Sequence, residues 1–219
     1  MKLTTEQIES NKKEFIRLLK STLRPGINEL CEWLEKQSDF FTAPSSSRFH
    51  GSYKGGLCQH SLNVYYAATK LKANMSDLAL PEKNLDGIEE NSVIVAALLH
   101  DLCKANFYRE NVKVYKDDAS GAWKHYIGYD IVDQLPLGHG EKSAIIAQQF
   151  IRMSAAELCA IRWHMGCGDP GAFVSPYEKP ALNTAMDNVP LLILIQNADM
   201  FASYLMEGEN NQKVDNAID

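Results

Sequence analysis

The 219-residue sequence lacks three features that would each have indicated a particular class of protein. Its five cysteines include no Cys-x-x-Cys pair, which excludes a zinc-finger or thioredoxin-like spacing, and an odd, unpaired set suits a reducing compartment. Its longest apolar runs, Val93–Leu99 and Val189–Ile195, are far shorter than the roughly 18 residues of a membrane span. Lys and Arg number 22 against 28 Asp and Glu, which excludes a strongly basic coat for nucleic acid.

What remains is an ordinary globular composition, with 45% hydrophobic and 23% charged residues. The length favours one domain with a hydrophobic core of useful size. The first ten residues are polar and contain no apolar segment typical of a signal peptide. We therefore expect a soluble, cytoplasmic protein without a membrane partner. Because the net charge is −6, any chemistry on phosphate needs a local cation such as a metal ion.

The spacing of apolar residues predicts a mostly helical chain. Helices are predicted over 5–20, 26–36, 57–73, about 89–104, 140–152, 154–164 and 188–206. The helix that ends at Lys104 is apolar around most of its circumference, so we expect it to be central. Residues 107–133 instead predict a β-hairpin whose turn lies at Asp117–Gly121. Residues 165–187 contain three Gly and three Pro and predict a long loop, which in a compact domain is functional or disordered.

Among six histidines, the most informative is His100, which Asp101 follows at the end of an apolar run. A carboxylate there is costly to bury unless it is paired or bound to metal. Because neighbouring helical residues are about 100° apart, this pair can share a metal only at a helix edge, with further ligands from other helices. His60 and Asp199 are suitable partners. Each residue taken alone is more often a core or capping residue than a ligand, so the joint order is the specific signal.

The order of these residues resembles the HD superfamily of metal-dependent phosphohydrolases. It runs His60, His100-Asp101, His139, His164 and Asp199. The segments GGLCQHSLNV (55–64) and AALLHDLCK (96–104) are similar to that family's first histidine segment and its signature helix. The resemblance covers about residues 48–206 and implies an all-α helical bundle, with the hairpin as a small insertion. We expect a single HD domain over 1–206, with N-terminal helices over 4–37 packed on its core, and a polar, disordered tail over 207–219.

The resemblance also implies a centre of divalent metal ions inside the bundle. Simple HD nucleotidases use four of the matching positions around one metal, whereas His139 and His164 resemble the branch that binds two metals with Asp101 as the bridge. Imidazole and carboxylate ligands suit Fe, Mn, Ni, Co or Zn and do not select one of them. The expected metal ligands are His60, His100, Asp101, His139, His164 and Asp199.

Further roles are expected for residues near this ligand set. Lys104 matches the lysine of the family's HDxxK pattern and would stabilise charge on a phosphoryl group, which makes Asp101 and Lys104 the expected catalytic residues. The alternative for Lys104 is a solvated lysine at a helix end. The candidate substrate contacts are His50, Tyr53, Lys54 and Lys142.

The implied function is hydrolysis of a phosphoester in a nucleotide, cyclic (di)nucleotide or short oligonucleotide by a metal-activated water. The motif order is nearest to the HD-type 3′-to-5′ exoribonucleases, but the 219 residues leave no room for their OB-type module. We therefore expect a small phosphorylated substrate and no long nucleic acid. Two alternatives remain open, a di-iron oxygenase of the same superfamily and a non-catalytic HD binding protein. The sequence does not identify the natural metal, the substrate, the oligomeric state or the role of the hairpin.

Overall fold

The chain forms a helical bundle with one small antiparallel sheet, as the sequence predicted. The structure is a computed structural model that describes residues 3–118, 120–168, 177–207 and 217–218. Its helices are α1 (Thr5–Ser21), α2 (Ile27–Lys36), α3 (Gly56–Met75), α4 (Glu90–Leu99), α5 (His139–Gln148), α6 (Ala155–Trp163), α7 (Glu178–Asn188) and α8 (Pro190–Phe201). Its strands are β1 (Tyr108–Lys116), β2 (Trp123–Ile131) and β3 (Ala217–Ile218).

Helix α4 lies at the centre of the bundle. All seven residues of Val93–Leu99 are at most 4% exposed, so this helix is buried on every side. It packs against α3, α6 and α8, and α3 and α6 also pack against α8. A helix that is apolar around its whole circumference can be stable only in such a position. The predicted central helix is therefore confirmed.

The N-terminal helix α1 shares its hydrophobic core with the helices that follow. It begins with a capping box, in which the side chains of Thr4 and Gln7 satisfy each other's backbone N–H groups. On its inner side Phe15 is fully buried, with its ring centroid 4.9 Å from that of Phe40 and 5.6 Å from that of Phe41. Burial of this aromatic cluster is a large part of what holds α1 on the bundle.

At two positions another segment of backbone lies so close that only glycine fits. At Gly26, which precedes α2, the backbone has φ of 84°, and a Cβ would lie 1.8 Å from the carbonyl oxygen of Phe150. At Gly56, the first residue of α3, a Cβ would lie 1.9 Å from the carbonyl oxygen of Gly51. The loop before α3 therefore lies directly against the first turn of that helix.

The predicted helix over 89–104 is too long. Helix α4 ends at Leu99, and a 3-10 turn covers Leu102–Lys104. The last carbonyls of a helix have no intrahelical partner, and here the Nδ1 atom of His100 donates to the carbonyl oxygen of Ala97 at 2.8 Å. Asp101 leaves the helical conformation, with φ of −104° and ψ of 18°. The break removes the restriction that a continuous helix would place on neighbouring side chains.

The predicted loop over 165–187 is also partly wrong, because α7 forms within it. A proline in the first helical turn is tolerated, so Pro180 does not prevent the helix. Leu182 and Ala185, three residues apart, lie on one side of α7 and are buried. Residues 169–176, which form part of the predicted loop, lie outside the described residues.

The predicted hairpin is confirmed. Strands β1 and β2 pair antiparallel from Tyr108 opposite Ile131 to Lys116 opposite Trp123, and β3 pairs with the other edge of β2. Successive side chains of a strand point to opposite faces. One face of the hairpin carries Tyr129, which is only 7% exposed.

No single helix in the described part of the chain is both long enough and apolar enough to cross a membrane. The segments Lys179–Asn188 and Pro190–Met206, bent by 102°, meet these criteria when taken together, by length and composition alone. Leu191, Leu192 and Ile195 in the second segment are buried in the bundle, so their hydrophobicity is explained by the core.

Candidate metal centre

Four imidazoles and two carboxylates meet in one buried place, although they come from distant parts of the chain. They lie on α3, just after α4, at the start of α5, just after α6, and on α8. Their ligand atoms form overlapping groups in which all atoms are within 4.8 Å of one another. The structure thus brings together all six residues that the sequence indicated: His60, His100, Asp101, His139, His164 and Asp199.

One group of ligand atoms surrounds the Nε2 atom of His60. This nitrogen lies 3.1 Å from Oδ1 of Asp199, 3.2 Å from Nε2 of His100 and 3.6 Å from Oδ2 of Asp101. The His100 nitrogen lies 3.5 Å from the same Asp101 oxygen. Ligand atoms about 2.1 Å from a tetrahedral ion are about 3.4 Å apart, so these separations suit a bound cation.

A second group surrounds the other oxygen of Asp101. Its Oδ1 atom lies 2.8 Å from Nε2 of His139 and 3.6 Å from Nε2 of His164. The two oxygens of one carboxylate thus face two different sets of imidazoles. This is the arrangement that a bridging carboxylate requires.

In two of the imidazoles, the hydrogen bond made by Nδ1 determines whether Nε2 carries a lone pair that can bind a metal. The Nδ1 atom of His100 donates to the carbonyl oxygen of Ala97, and that of His164 donates to the carbonyl oxygen of Ile161 at 2.7 Å. A neutral imidazole that donates through Nδ1 carries a lone pair on Nε2. Among the described residues, Nε2 of His164 has no hydrogen-bond partner although it is buried. Lone pairs that face carboxylate oxygens repel them, and a cation between them removes this repulsion.

Glu207, the first residue of the predicted tail, is a buried member of the centre that the sequence did not indicate. Its side chain is only 2% exposed, and its Oε1 atom accepts from Nδ1 of His60 at 2.9 Å and from Nδ2 of Asn63 at 3.0 Å. A carboxylate behind an imidazole fixes the ring's orientation and makes it a better metal ligand. The sequence signal that could have indicated Glu207 is its position eight residues, or about two helical turns, after Asp199.

The charges of the centre shift the pKa values of its members strongly. Burial alone would lower the pKa of His60, but the carboxylates of Glu207 and Asp199 outweigh it and raise that pKa to about 10. Burial alone would raise the pKa of Asp101, but Lys104 and His100 lower it well below its usual value. These shifts show that the centre attracts positive charge.

Lys104 places its ammonium group beside the carboxylate of Asp101. Its Nζ atom lies 2.6 Å from Oδ2 of Asp101, and its side chain is 14% exposed. Burial alone would lower the pKa of Lys104, but Asp101 raises it above its ordinary value. This lysine is therefore held at the centre in its charged form, and the alternative of a solvated helix-end lysine does not describe it.

The expected substrate contacts fall into two groups. The ring centroid of His50 lies 4.8 Å from that of His60, and burial lowers the pKa of His50 to about 4. Near it, the Tyr53 hydroxyl is hydrogen-bonded to the side chain of Gln59 at 2.7 Å, and Lys54 is exposed.

Lys142, the fourth expected contact, lies at the base of the hairpin. Its Nζ atom is hydrogen-bonded to Oδ1 of Asp133 at 2.5 Å and lies 4.7 Å from the centroid of the Phe107 ring. Its side chain is 6% exposed, so its charge is engaged at the base of the hairpin. On the same side of the centre, the Sγ atom of Cys103 lies 3.2 Å from Nδ1 of His139, a contact that sequence reasoning did not anticipate.

Comparison with known proteins agrees with this geometry. Residues 57–203 match the family model of the HD domain. The chain belongs to the HD domain family. The HD segment contains all six residues of the centre, whereas α1, α2 and Glu207 lie outside it. No solved structure matches the chain.

One curated relative of this HD-domain chain is the dihydroneopterin 2′,3′-cyclic phosphate phosphodiesterase of Methanocaldococcus jannaschii. The two sequences are 31% identical over 138 residues. The match covers 62% of this chain and 47% of the relative, so the chain spans about half the length of the curated protein it matches.

Proposed function

We propose that this HD-domain protein is a metal-dependent phosphodiesterase that acts on a small, nucleotide-like phosphoester. One observation carries the proposal: buried imidazole nitrogens face the two oxygens of Asp101 in two groups, and Nε2 of His164 has no hydrogen-bond partner in the described structure. A purely structural cluster would leave such groups paired, because an unpaired buried polar group costs about 1–3 kcal/mol.

The ligand sets follow from the two groups. His60, His100, Asp199 and Oδ2 of Asp101 would hold one divalent ion. His139, His164 and Oδ1 of Asp101 would hold a second. Divalent ions bound there supply a Lewis acid for the phosphoester and lower the pKa of bound water.

Lys104 would contribute transition-state stabilisation from the protein itself. Its charged ammonium lies beside Asp101, within the region where a phosphoester would be held. Positive charge fixed in a buried site costs no reorganisation when negative charge develops on the phosphoryl oxygens. Lys104 thus acts as a fixed cation, and Asp101 as the group that organises the centre.

Two observations support a small substrate. The relative from Methanocaldococcus jannaschii is named for a 2′,3′-cyclic phosphate, a compact diester. In addition, the net charge of −6 provides few of the cations that sustained binding along a nucleic-acid backbone requires. A nucleoside or pterin cyclic phosphate therefore suits this protein better than long RNA.

The experiment combines metal analysis with a substrate panel. Protein purified without chelator should contain a divalent metal, and in Mn²⁺ it should hydrolyse bis-p-nitrophenyl phosphate or nucleoside 2′,3′-cyclic phosphates faster than a single-stranded RNA of about 20 nucleotides. Processive shortening of the RNA with inert small substrates would restore the exoribonuclease alternative. Oxygen consumption by iron-loaded protein without hydrolysis would favour the oxygenase.

The number of metals has its own test. His139→Ala and His164→Ala each remove an imidazole from the second set only, so we expect both variants to lose about one metal per chain and to keep the other. Mass spectrometry of the metal content measures this directly. An unchanged metal count in both variants would support a single ion and a mononuclear nucleotidase.

A further inference from the structure

A groove runs between the hairpin and the loop that precedes α3. It consists of two adjoining cavities of about 400 Å³ and about 200 Å³, and both are lined by Thr42, Lys54, Glu110 and Tyr129. Apolar residues near the N-terminus of α1 line the larger cavity. The inward face of the hairpin thus forms one wall of a continuous groove.

Each cavity is lined by a tyrosine that connects it with the metal centre. Tyr108 lines the smaller cavity and stands four residues after Lys104 and seven after Asp101 in the chain. Tyr53 lines the larger cavity, and its hydroxyl donates to the side chain of Gln59, the residue before His60. A molecule whose phosphoester lies at the centre can therefore extend its other end into the groove.

Glu110 is the acid in this groove that has no hydrogen-bond or ion-pair partner in the described part of the chain. It lies directly opposite Tyr129 in the hairpin register. The carboxylate of Asp39 also lines the smaller cavity, but it accepts from the backbone N–H of Asn106 at 2.6 Å and so has a structural role. On the opposite face of the hairpin, Asp130 is paired with Lys113 at 2.7 Å. Glu110 thus offers a free bidentate acceptor beside aromatic side chains.

We propose that this groove binds the heterocycle of the substrate, and that Glu110 selects rings that present an N–H and an amino group side by side. This inference rests on the proposed function and names its substrate class. Such an edge is formed by N1–H and the 2-amino group of guanine, and by N3–H and the 2-amino group of a pterin, and it donates two parallel hydrogen bonds to one carboxylate. Adenine presents a ring acceptor there, which repels a carboxylate. The rings of Tyr108 and Tyr129 provide the aromatic surface against which a flat heterocycle packs.

The test measures binding of the heterocycle without any phosphate. Guanosine, inosine, adenosine and neopterin are titrated into the full chain and followed by calorimetry or NMR. Inosine is the matched ligand, because it differs from guanosine only in the missing 2-amino group. The protein variants are Glu110→Gln and, as a control, Asp118→Asn, which changes an exposed acid in the hairpin turn.

We expect guanosine or neopterin to bind at least about tenfold more tightly than adenosine, with inosine between them. Glu110→Gln should weaken guanosine and neopterin roughly 10- to 100-fold and remove the discrimination, whereas Asp118→Asn should change neither. Tighter binding of neopterin than of guanosine would identify a pterin as the heterocycle of the substrate, and the reverse would identify guanine.

Equal affinity for guanosine and adenosine in the wild type would overturn the inference. Unchanged selectivity in Glu110→Gln, with the same thermal unfolding midpoint as the wild type, would do so too. Because these ligands contain no phosphoester, selective binding without hydrolysis of any diester would contradict the proposed function and leave the heterocycle site standing.

Discussion

Two buried acidic clusters of this protein contrast in how their charge is satisfied. Around Glu157, which is fully buried, Arg24 donates two hydrogen bonds, Ser92 donates one at 2.6 Å, and the backbone N–H of Ser154 donates one at 2.8 Å. Around Asp101, the neighbours are Lys104 and four imidazoles whose Nε2 atoms point inward. The first cluster supplies all of its own counter-charge, whereas the second holds three carboxylates against one lysine and leaves a place for further positive charge.

The contrast shows how a buried carboxylate with a structural role differs from one that is placed to bind an ion. The Glu157 cluster joins the segment after α1 to α4 and α6 and leaves the carboxylate fully hydrogen-bonded. The centre instead places the carboxylates of Asp199 and Glu207 against His60 and that of Asp101 against Lys104. Burial is nearly the same in both places, so burial alone does not identify a functional acid. The identity of the neighbouring donors does.

The largest effect is expected for Asp101→Asn. This change keeps the shape of the side chain but removes the anion that both groups of imidazoles face, so metal content and turnover should fall together, turnover by about 10³-fold or more. Metal analysis and hydrolysis of bis-p-nitrophenyl phosphate provide the measurement. Glu157→Gln is the matched control in another buried carboxylate and should keep the metal. Full metal content in Asp101→Asn would show that Asp101, like Glu157, is not needed for metal binding.

A smaller effect is expected for Lys104→Ala. The variant should keep its metal and lose turnover by roughly 10²-fold, because the fixed cation acts on transition-state charge. Lys113→Ala, which removes a lysine from the outward face of the hairpin, should retain wild-type turnover. Equal turnover of wild type and Lys104→Ala would limit the lysine to neutralising Asp101.

Glu207→Gln should act through His60 rather than directly. The amide is a weaker acceptor for the Nδ1 proton of His60, so we expect metal affinity to fall roughly 10- to 100-fold while binding at saturating metal persists. Titration with a competing chelator measures the affinity. Glu82→Gln, a change in an exposed acid, is the control. Unchanged affinity would reduce Glu207 to a structural anchor of the chain after α8.

The smallest effect on the centre is expected for Glu157→Gln, whose consequence is a loss of stability. Removing one partner of a buried ion pair costs about 3 kcal/mol of unfolding free energy. Burial alone would raise the pKa of Glu157, but Arg24 and Ser92 outweigh it and hold it below its ordinary value of 4.5. Because the folded-state pKa is lowered, the carboxylate's contribution is present above pH 4.5 and is lost as the pH falls through the folded-state value.

Urea unfolding of both proteins at a series of pH values checks this last expectation. The difference between wild type and Glu157→Gln should be full at pH 7 and should shrink below pH 4.5. A difference that is independent of pH would show that the charge of Glu157 does not matter to folding.

The sequence predicted the parts of this protein that depend on local pattern or on a long-range order of distinctive residues. The apolar run of α4, the N-terminal helix and the hairpin follow from periodicity and turn residues, and they are confirmed. The six residues of the centre were indicated by the resemblance of their order to the HD superfamily, and the structure brings them together.

What the sequence missed depends on tertiary contacts. Helix α4 breaks after Leu99 because the side chain of His100 donates to the Ala97 carbonyl oxygen and faces the centre. The periodicity of apolar residues does not reveal such a contact. Glu207 resembled any acid of a polar tail, and only its contact with His60 gives it a role. The ion pair between Lys142 and Asp133 could not be predicted either, because it depends on the path of the chain between β2 and α5.

The scattered origin of the centre's residues makes ion binding a property of the whole fold. Ligands from α3, from the ends of α4 and α6, and from α5 and α8 meet only after the bundle has assembled. An ion held there has no comparable site in the unfolded chain, so at a concentration 100 times its dissociation constant it adds about 2.7 kcal/mol to the free energy of unfolding. Metal supply would then set how much of the protein survives in the cell, through its exposure to proteases, as well as how fast each molecule works.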